Sequence, residues 1–244
     1  RFDAMLVLFD FEEDIYKKAG MDAEFVGHPL RDTVNASAPA GELRREFGAK
    51  GGEHVIALLP GSRTAELQRY LPVMAEAAAS LSKKRTDVRF LLAKAPGLDD
   101  DMVRSLLGPA ASLVRVEGGR TYDVLEAADL AVVASGTATL ETAVLEVPMV
   151  VLGAVSRLSY EITIRMVKID RYSLPNVIAK KDVVPELVQN EMTPENLVRE
   201  ISSMLECPER MATIKKELRS VKESLGPGDA SERAARAVCQ RLWE

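Results

Sequence analysis

Short, nearly continuous apolar runs recur along this chain with helical patterns between them, and that alternation limits the possible fold more than any other feature. The runs at 55–59, 88–93, 113–116, 130–134 and 149–152 are rich in Val, Leu and Ala. Strands that read this way, without polar alternation, belong to parallel sheets covered on both faces. Helical patterns fill the gaps at 65–84, 100–107, 122–128 and 138–147. Right-handed strand–helix–strand crossovers then build an open, twisted, doubly wound sheet, whose ligands bind outside the carboxyl ends of the strands. The predicted class is therefore α/β, a doubly wound parallel sheet with function in the strand-to-helix loops. Pro72, which lacks the amide hydrogen of the helix ladder, is expected to kink the first of these helices.

A shorter segment precedes the sheet: a strand at 4–9, a helix at 12–19 stopped by Gly20, and a strand at 24–26. The loose stretch at 32–41, around Pro39, reads as a connection. A helical tail follows, with Thr193 capping a helix that has Pro194 in its first position, a restart at Pro208, and Gly226-Pro227-Gly228 before the last helix. The resulting division is 1–30 as a remnant and hinge, 31–190 as the main domain and 191–244 as the tail. The chain opens on Arg1-Phe2-Asp3 rather than methionine, which reads as a cut inside a larger protein.

Charge and composition remove several functions. Thirty-two Lys and Arg against 37 Asp and Glu leave a net charge of −5, so there is no global positive field for nucleic acid. Cys207 and Cys239 with His28 and His54 lack metal-site spacing, so neither a zinc site nor a disulfide framework is expected. The longest apolar stretch, near 147–155, falls well short of the ~20 residues that span a bilayer. Asp99-Asp100-Asp101 precedes a helix, where acidic residues are favourable without a metal.

Two loops carry the sharpest chemistry. Leu58-Leu59-Pro60-Gly61-Ser62-Arg63-Thr64-Ala65-Glu66 lies between a buried strand and a long helix. Gly61 lets amides approach an anion, the helix start adds partial positive charge, Ser62 offers a hydroxyl, and Arg63 presents a planar fork that matches phosphate oxygens. A plain tight turn with a Ser62 or Thr64 cap stands as an equal alternative. Ser135, Gly136 and Thr137 form a second anion-friendly helix entry, with Glu141 one turn inside, where its two oxygens can accept from both hydroxyls of a ribose. A capping box needs Glu or Gln three residues after the cap. Counted from Thr137 that position is Leu140, so Glu141 lacks the simplest local role, and a carboxylate that merely favours the helix dipole stands as the plainer alternative. Asn176 and Gln189 are neutral amides that donate and accept at once, although an Asn after Pro175 ordinarily reads as a turn residue. His28, before Pro29, reads as a hinge or turn residue, with a ligand role at the domain junction as the alternative, and Arg165, Lys168, Arg171, Lys180 and Lys181 read as a solvated face, with an anionic lipid surface as the lesser alternative.

Taken together, Val26-Gly27-His28-Pro29-Leu30, the loops at 58–66 and 134–141, Val167-Lys168, Ser173-Leu174-Pro175-Asn176, the stretch 183–189 and the Gly228, Ser231, Ala234, Ala235 arrangement resemble the lipid-A-disaccharide synthases. The resemblance covers the whole chain. It implies the Rossmann-like C-terminal half of a GT-B glycosyltransferase with a helical tail, and transfer of 2,3-diacylglucosamine from UDP-2,3-diacylglucosamine to 2,3-diacylglucosamine 1-phosphate with release of UDP. Carried over by position, Gly61, Ser62, Arg63, Ser135, Gly136 and Thr137 would surround the diphosphate, Glu141 would hold the ribose, and Asn176 and Gln189 would complete the pocket. No metal or cofactor is implied, and the general base and acceptor site are expected in an N-terminal domain that this chain largely lacks, which would leave it with little turnover of its own. A cytoplasmic protein of a Gram-negative bacterium, with peripheral contact at the inner face of the inner membrane and room for a homo-oligomer, is also implied. The chain departs from the family pattern at Asp10, where proline is usual, and at Leu152-Gly153, where an aromatic or basic residue is typical. Alternative readings are another UDP-sugar enzyme of the same fold, an epimerase or a murein-precursor transferase, and a nucleotide-binding module without catalysis.

Overall fold

A computed structural model describes residues 3–154 and 171–243. Six parallel strands form the main sheet: β3 (His54–Leu59), β4 (Val88–Lys94), β5 (Val114–Gly118), β6 (Leu130–Ala134), β7 (Met149–Gly153) and β8 (Glu186–Val188). Their order is β5-β4-β3-β6-β7-β8. The direction of winding thus reverses between β3 and β6, and the crevice at that switch point is where such sheets take ligands. The registers Leu58↔Val132 and Leu59↔Val133 bring the ends of these two strands side by side.

The apolar runs form strands because both faces are covered. All five residues of β6 and all five of β7 are buried. Helix Thr64–Lys84 buries Leu67, Leu71, Met74, Ala78 and Leu81 along one stripe, the 3.6-residue periodicity of an amphipathic helix. It continues through Pro72 without interruption. Both Pro72 and Gln68, whose carbonyl the proline leaves without its ladder partner, are exposed, so the lost bond is not a buried one. Asp99 caps helix Asp100–Leu107 by accepting from the Met102 amide at 2.7 Å, as the helix-start reading of the Asp99 run requires. Asp10, the departure from the family pattern, begins helix Asp10–Lys18, and Leu152 and Gly153 close β7.

The first strands, β1 (Met5–Val7) and β2 (Ala23–Phe25), pair parallel as a separate two-stranded sheet. Across the junction, His28 is a turn residue: its Nδ1 accepts from the Leu30 amide at 3.1 Å, and its own amide donates to the Leu225 carbonyl at 2.9 Å. Burial lowers its pKa. The three terminal helices are Pro194–Leu205, Pro208–Ser224 and Ala230–Trp243. Thr193 Oγ1 caps the first, accepting from the Asn196 amide. Leu197, Ile201, Met204, Leu218 and Val221 join the same hydrophobic core as the sheet, so the first two of these helices pack against it. The last helix instead returns to the first strands, with Arg241 reaching Asp22 at 2.9 Å and Glu24 at 2.8 Å, and the Arg233 guanidinium donating to the Phe25 carbonyl. Asp32 accepts from the Asp229 and Ala230 amides at its start. Among the described residues, no helix is long and apolar enough to cross a membrane.

Candidate nucleotide site at the switch point

The turns after β3 and β6 line one cavity of about 380 Å³, which contains Gly61, Ser62, Arg63, Ser135, Gly136, Thr137 and Glu141 together. These seven candidates converge as the crevice argument requires. Asn176 and Gln189 are not among the described lining residues. Asn176 is 1% exposed, and its side chain is spent on the scaffold. Oδ1 accepts from the Val183 and Val184 amides, while Nδ2 donates to the Val184 carbonyl and Glu186 Oε1. Gln189 begins a short 3-10 turn beyond β8 with a φ of 55°. Arg171 pairs with Asp182 and Lys181 with Glu217; Arg165, Lys168 and the Val167-Lys168 pair lie outside the described residues.

The turn after β3 is closed by a residue to which the sequence argument assigns no role. Glu66 stands at the third position of helix Thr64–Lys84 and reaches back, its Oε2 accepting from the Ser62 amide at 2.9 Å and the Arg63 amide at 3.2 Å. Oε1 accepts from Arg63 Nη1 at 3.1 Å. This is the returning half of a capping box; arginine at the cap has no acceptor to supply the other half. The signal was present in sequence as a glutamate three residues after Arg63. The Arg63 side chain is 82% exposed, so its ion pair is worth only ~0–1 kcal/mol and leaves the guanidinium available to a ligand.

The turn after β6 is open. Gly136 has φ 151° and ψ −162°, a region that only glycine enters without strain. Ser135 is anchored, its amide to the Leu152 carbonyl and its hydroxyl to the Tyr172 carbonyl at 2.9 Å. Beyond it the Gly136, Thr137 and Ala138 amides find no acceptor among the described residues. Uncapped amides at a helix start, facing a cavity, suit an anion.

Glu141 lies in the next turn of helix Thr137–Val144 and is held from the side: the Tyr122 hydroxyl donates to its Oε1 at 3.0 Å. Burial, followed by the Glu141 charge and this hydrogen bond, pushes the Tyr122 phenol up to about 12, so it remains a donor throughout the neutral range. Glu141 also borders a second cavity of about 390 Å³ with Asn35, Ser37, Arg120 and Tyr122. Buried Asp123 fixes that wall, accepting from the Ser37 amide at 2.7 Å, the Ser37 hydroxyl and Arg120 Nε. Burial opposes its ionisation, yet these hydrogen bonds hold its carboxyl below the usual range. Arg120 also stacks 4.8 Å over the Phe47 ring. No cluster of three or more His, Cys, Asp or Glu able to hold a metal occurs among the described residues.

The family model for lipid-A-disaccharide synthetase matches residues 1–239. A lipid-A-disaccharide synthase from Syntrophus aciditrophicus is 44% identical over 234 residues, covering 96% of this chain and 61% of that protein. The chain thus spans about three-fifths of the length of the curated relatives it matches. Among solved structures, a UDP-GlcNAc 2-epimerase from Neisseria meningitidis, bound to UDP-GlcNAc, superposes with a TM-score of 0.70 at 12% identity, over 98% of this chain and 62% of that one. WaaG, a glycosyltransferase involved in lipopolysaccharide biosynthesis, gives 0.57 at 18% identity, over 95% and 60%. At these identities the likeness is one of fold.

Proposed function

Because this chain belongs to the lipid-A-disaccharide synthetase family, we propose that it forms the donor-binding part of a glycosyltransferase. The enzyme would move 2,3-diacylglucosamine from its UDP carrier to 2,3-diacylglucosamine 1-phosphate. The observation that carries this reading is the convergence of two helix-starting turns and Glu141 on one cavity at the switch point of the sheet. The donor's diphosphate would accept from the free amides at Gly136, Thr137 and Ala138 and from the exposed Arg63 guanidinium. Glu141, steadied by Tyr122, would accept from the ribose hydroxyls, and the adjoining cavity beside Arg120 would receive the base.

In the reaction, a hydroxyl oxygen of the acceptor bonds to the sugar's anomeric carbon as the bond from that carbon to the β-phosphate oxygen breaks. The electron pair leaves with UDP, and the hydroxyl proton passes to a base that we place in the portion of the protein outside this chain. Charge growing on the departing phosphate is met by amides already aimed at it, which need no reorganisation at the moment of transfer. The donor and acceptor are lipid-linked, so we place the protein in the cytoplasm of a Gram-negative bacterium, in contact with the inner membrane.

Calorimetry with UDP tests the reading. Arg63→Ala is expected to weaken binding at least about tenfold, the loss of ~1.4 kcal/mol or more; equal affinity of variant and wild type overturns it. The likeness of fold to a UDP-GlcNAc 2-epimerase favours a second reading, a different UDP-sugar enzyme. Turnover of acylated but not unacylated UDP-glucosamine by the full-length protein separates the two.

A further inference from the structure

The turn after β3 already contains an anion. Glu66 accepts from the Ser62 and Arg63 amides through Oε2 and from the Arg63 guanidinium through Oε1, the donors that a ligand phosphate would otherwise engage there. Each amide carries one hydrogen, so carboxylate and phosphate cannot both hold it well. Gly61, with φ 107°, makes room for this arrangement: a Cβ there would lie 2.7 Å from the Glu66 Cβ. Clearance at Gly61 therefore serves the protein's own side chain. The charge balance points the same way, since Glu66 and Glu141 both line the cavity and Arg63 is the one cation among its described lining residues.

We propose that Glu66 is a built-in counter-ligand, competing with the nucleotide's diphosphate for Ser62 and Arg63 and so setting how tightly the leaving UDP is held. Glu66 is a positioning residue here: it acts through Arg63 and the turn, and touches no reacting atom. In the empty site it keeps the turn ordered and the guanidinium tethered. When the donor binds at the open turn, Arg63 exchanges its carboxylate for phosphate, and after transfer the waiting carboxylate takes it back and hastens release. The proposal rests on the nucleotide reading of the cavity.

Glu66→Gln tests it, because the amide oxygen still serves as a neutral helix cap while the competing charge is gone. The expected result is UDP binding tightened by about fivefold at fixed ionic strength, with Arg63→Ala costing more affinity in the Glu66→Gln background than alone. Unchanged or weaker UDP binding by a variant that melts like wild type overturns the competition. A second measurement needs no variant: the carboxylate carbon resonance of Glu66 should move when the wild-type chain is saturated with UDP, and a stationary resonance overturns the exchange. If wild type binds no UDP at all, the nucleotide reading falls as well; if it binds and Glu66 does not respond, only this inference falls.

Discussion

The turns after β3 and β6 are built from the same parts, a glycine at positive φ, a hydroxyl side chain and a glutamate in the helix that follows, yet one glutamate is consumed and the other is offered. Position along the helix decides which. Glu66 is the third residue of its helix, so its carboxylate reaches back to the turn amides. Glu141 is the fifth residue of Thr137–Val144, too far along to reach them, and is turned toward the cavity under the Tyr122 hydroxyl. A third turn agrees with the rule: Glu12, third in helix Asp10–Lys18, accepts from the Leu8 and Phe9 amides. A glutamate at the third position spends itself on the backbone, and one placed two residues later remains available to a ligand.

Substitutions at the two glycines probe that contrast most strongly. Gly61→Ala should destabilise the protein by ~2–4 kcal/mol, because strain at φ 107° adds to overlap with Glu66; chemical denaturation measures it. Next in size, Glu141→Ala should weaken UDP binding by about thirtyfold, ~2 kcal/mol, while leaving affinity for inorganic pyrophosphate unchanged. Equal loss for both ligands would mean that Glu141 does not read the ribose. Gly136→Ala, where nothing lies within 4 Å of the added Cβ, should cost ~1–2 kcal/mol from backbone strain alone. Stabilities of Gly61→Ala and Gly136→Ala that coincide would break the distinction between a filled turn and an open one.

Smaller effects follow at Tyr122. Tyr122→Phe should reduce UDP affinity by about fivefold, ~1 kcal/mol. The phenol also predicts a pH dependence. In the unfolded chain it ionises from its ordinary 10.0, and in the folded protein it keeps its proton to about 12. Its contribution to stability is therefore complete below pH 10 and is lost as pH rises toward 12. Melting curves across that window should fall less steeply for Tyr122→Phe than for wild type.

The sheet was readable in sequence because burial on both faces removes polar residues from a strand. The runs at 130–134 and 55–59 match Leu130–Ala134 and His54–Leu59 to within a residue. The strand β8 was not readable. Three residues that include Glu186 carry no periodicity, and only pairing with β7 makes them a strand. At the site, glycines, hydroxyls and Arg63 stood out because few residue types suit a phosphate. Asn176 shows the limit of that argument. An amide that can bind a sugar can equally bind backbone, and the choice depends on Val183, Val184 and Glu186 being brought against it. Glu66 shows the opposite failure, since its spacing from the cap announced a local role that phosphate chemistry obscured.

The grip of the final helix on the first strand pair sets an order of events for the growing polypeptide. Asp22 and Glu24 leave the ribosome some two hundred residues before Arg241 arrives to hold them, and loop closure over so long a span is slow. Through most of synthesis the β1–β2 unit must wait without this clasp, while the six-stranded sheet, whose strands pair across shorter stretches, can assemble ahead of it.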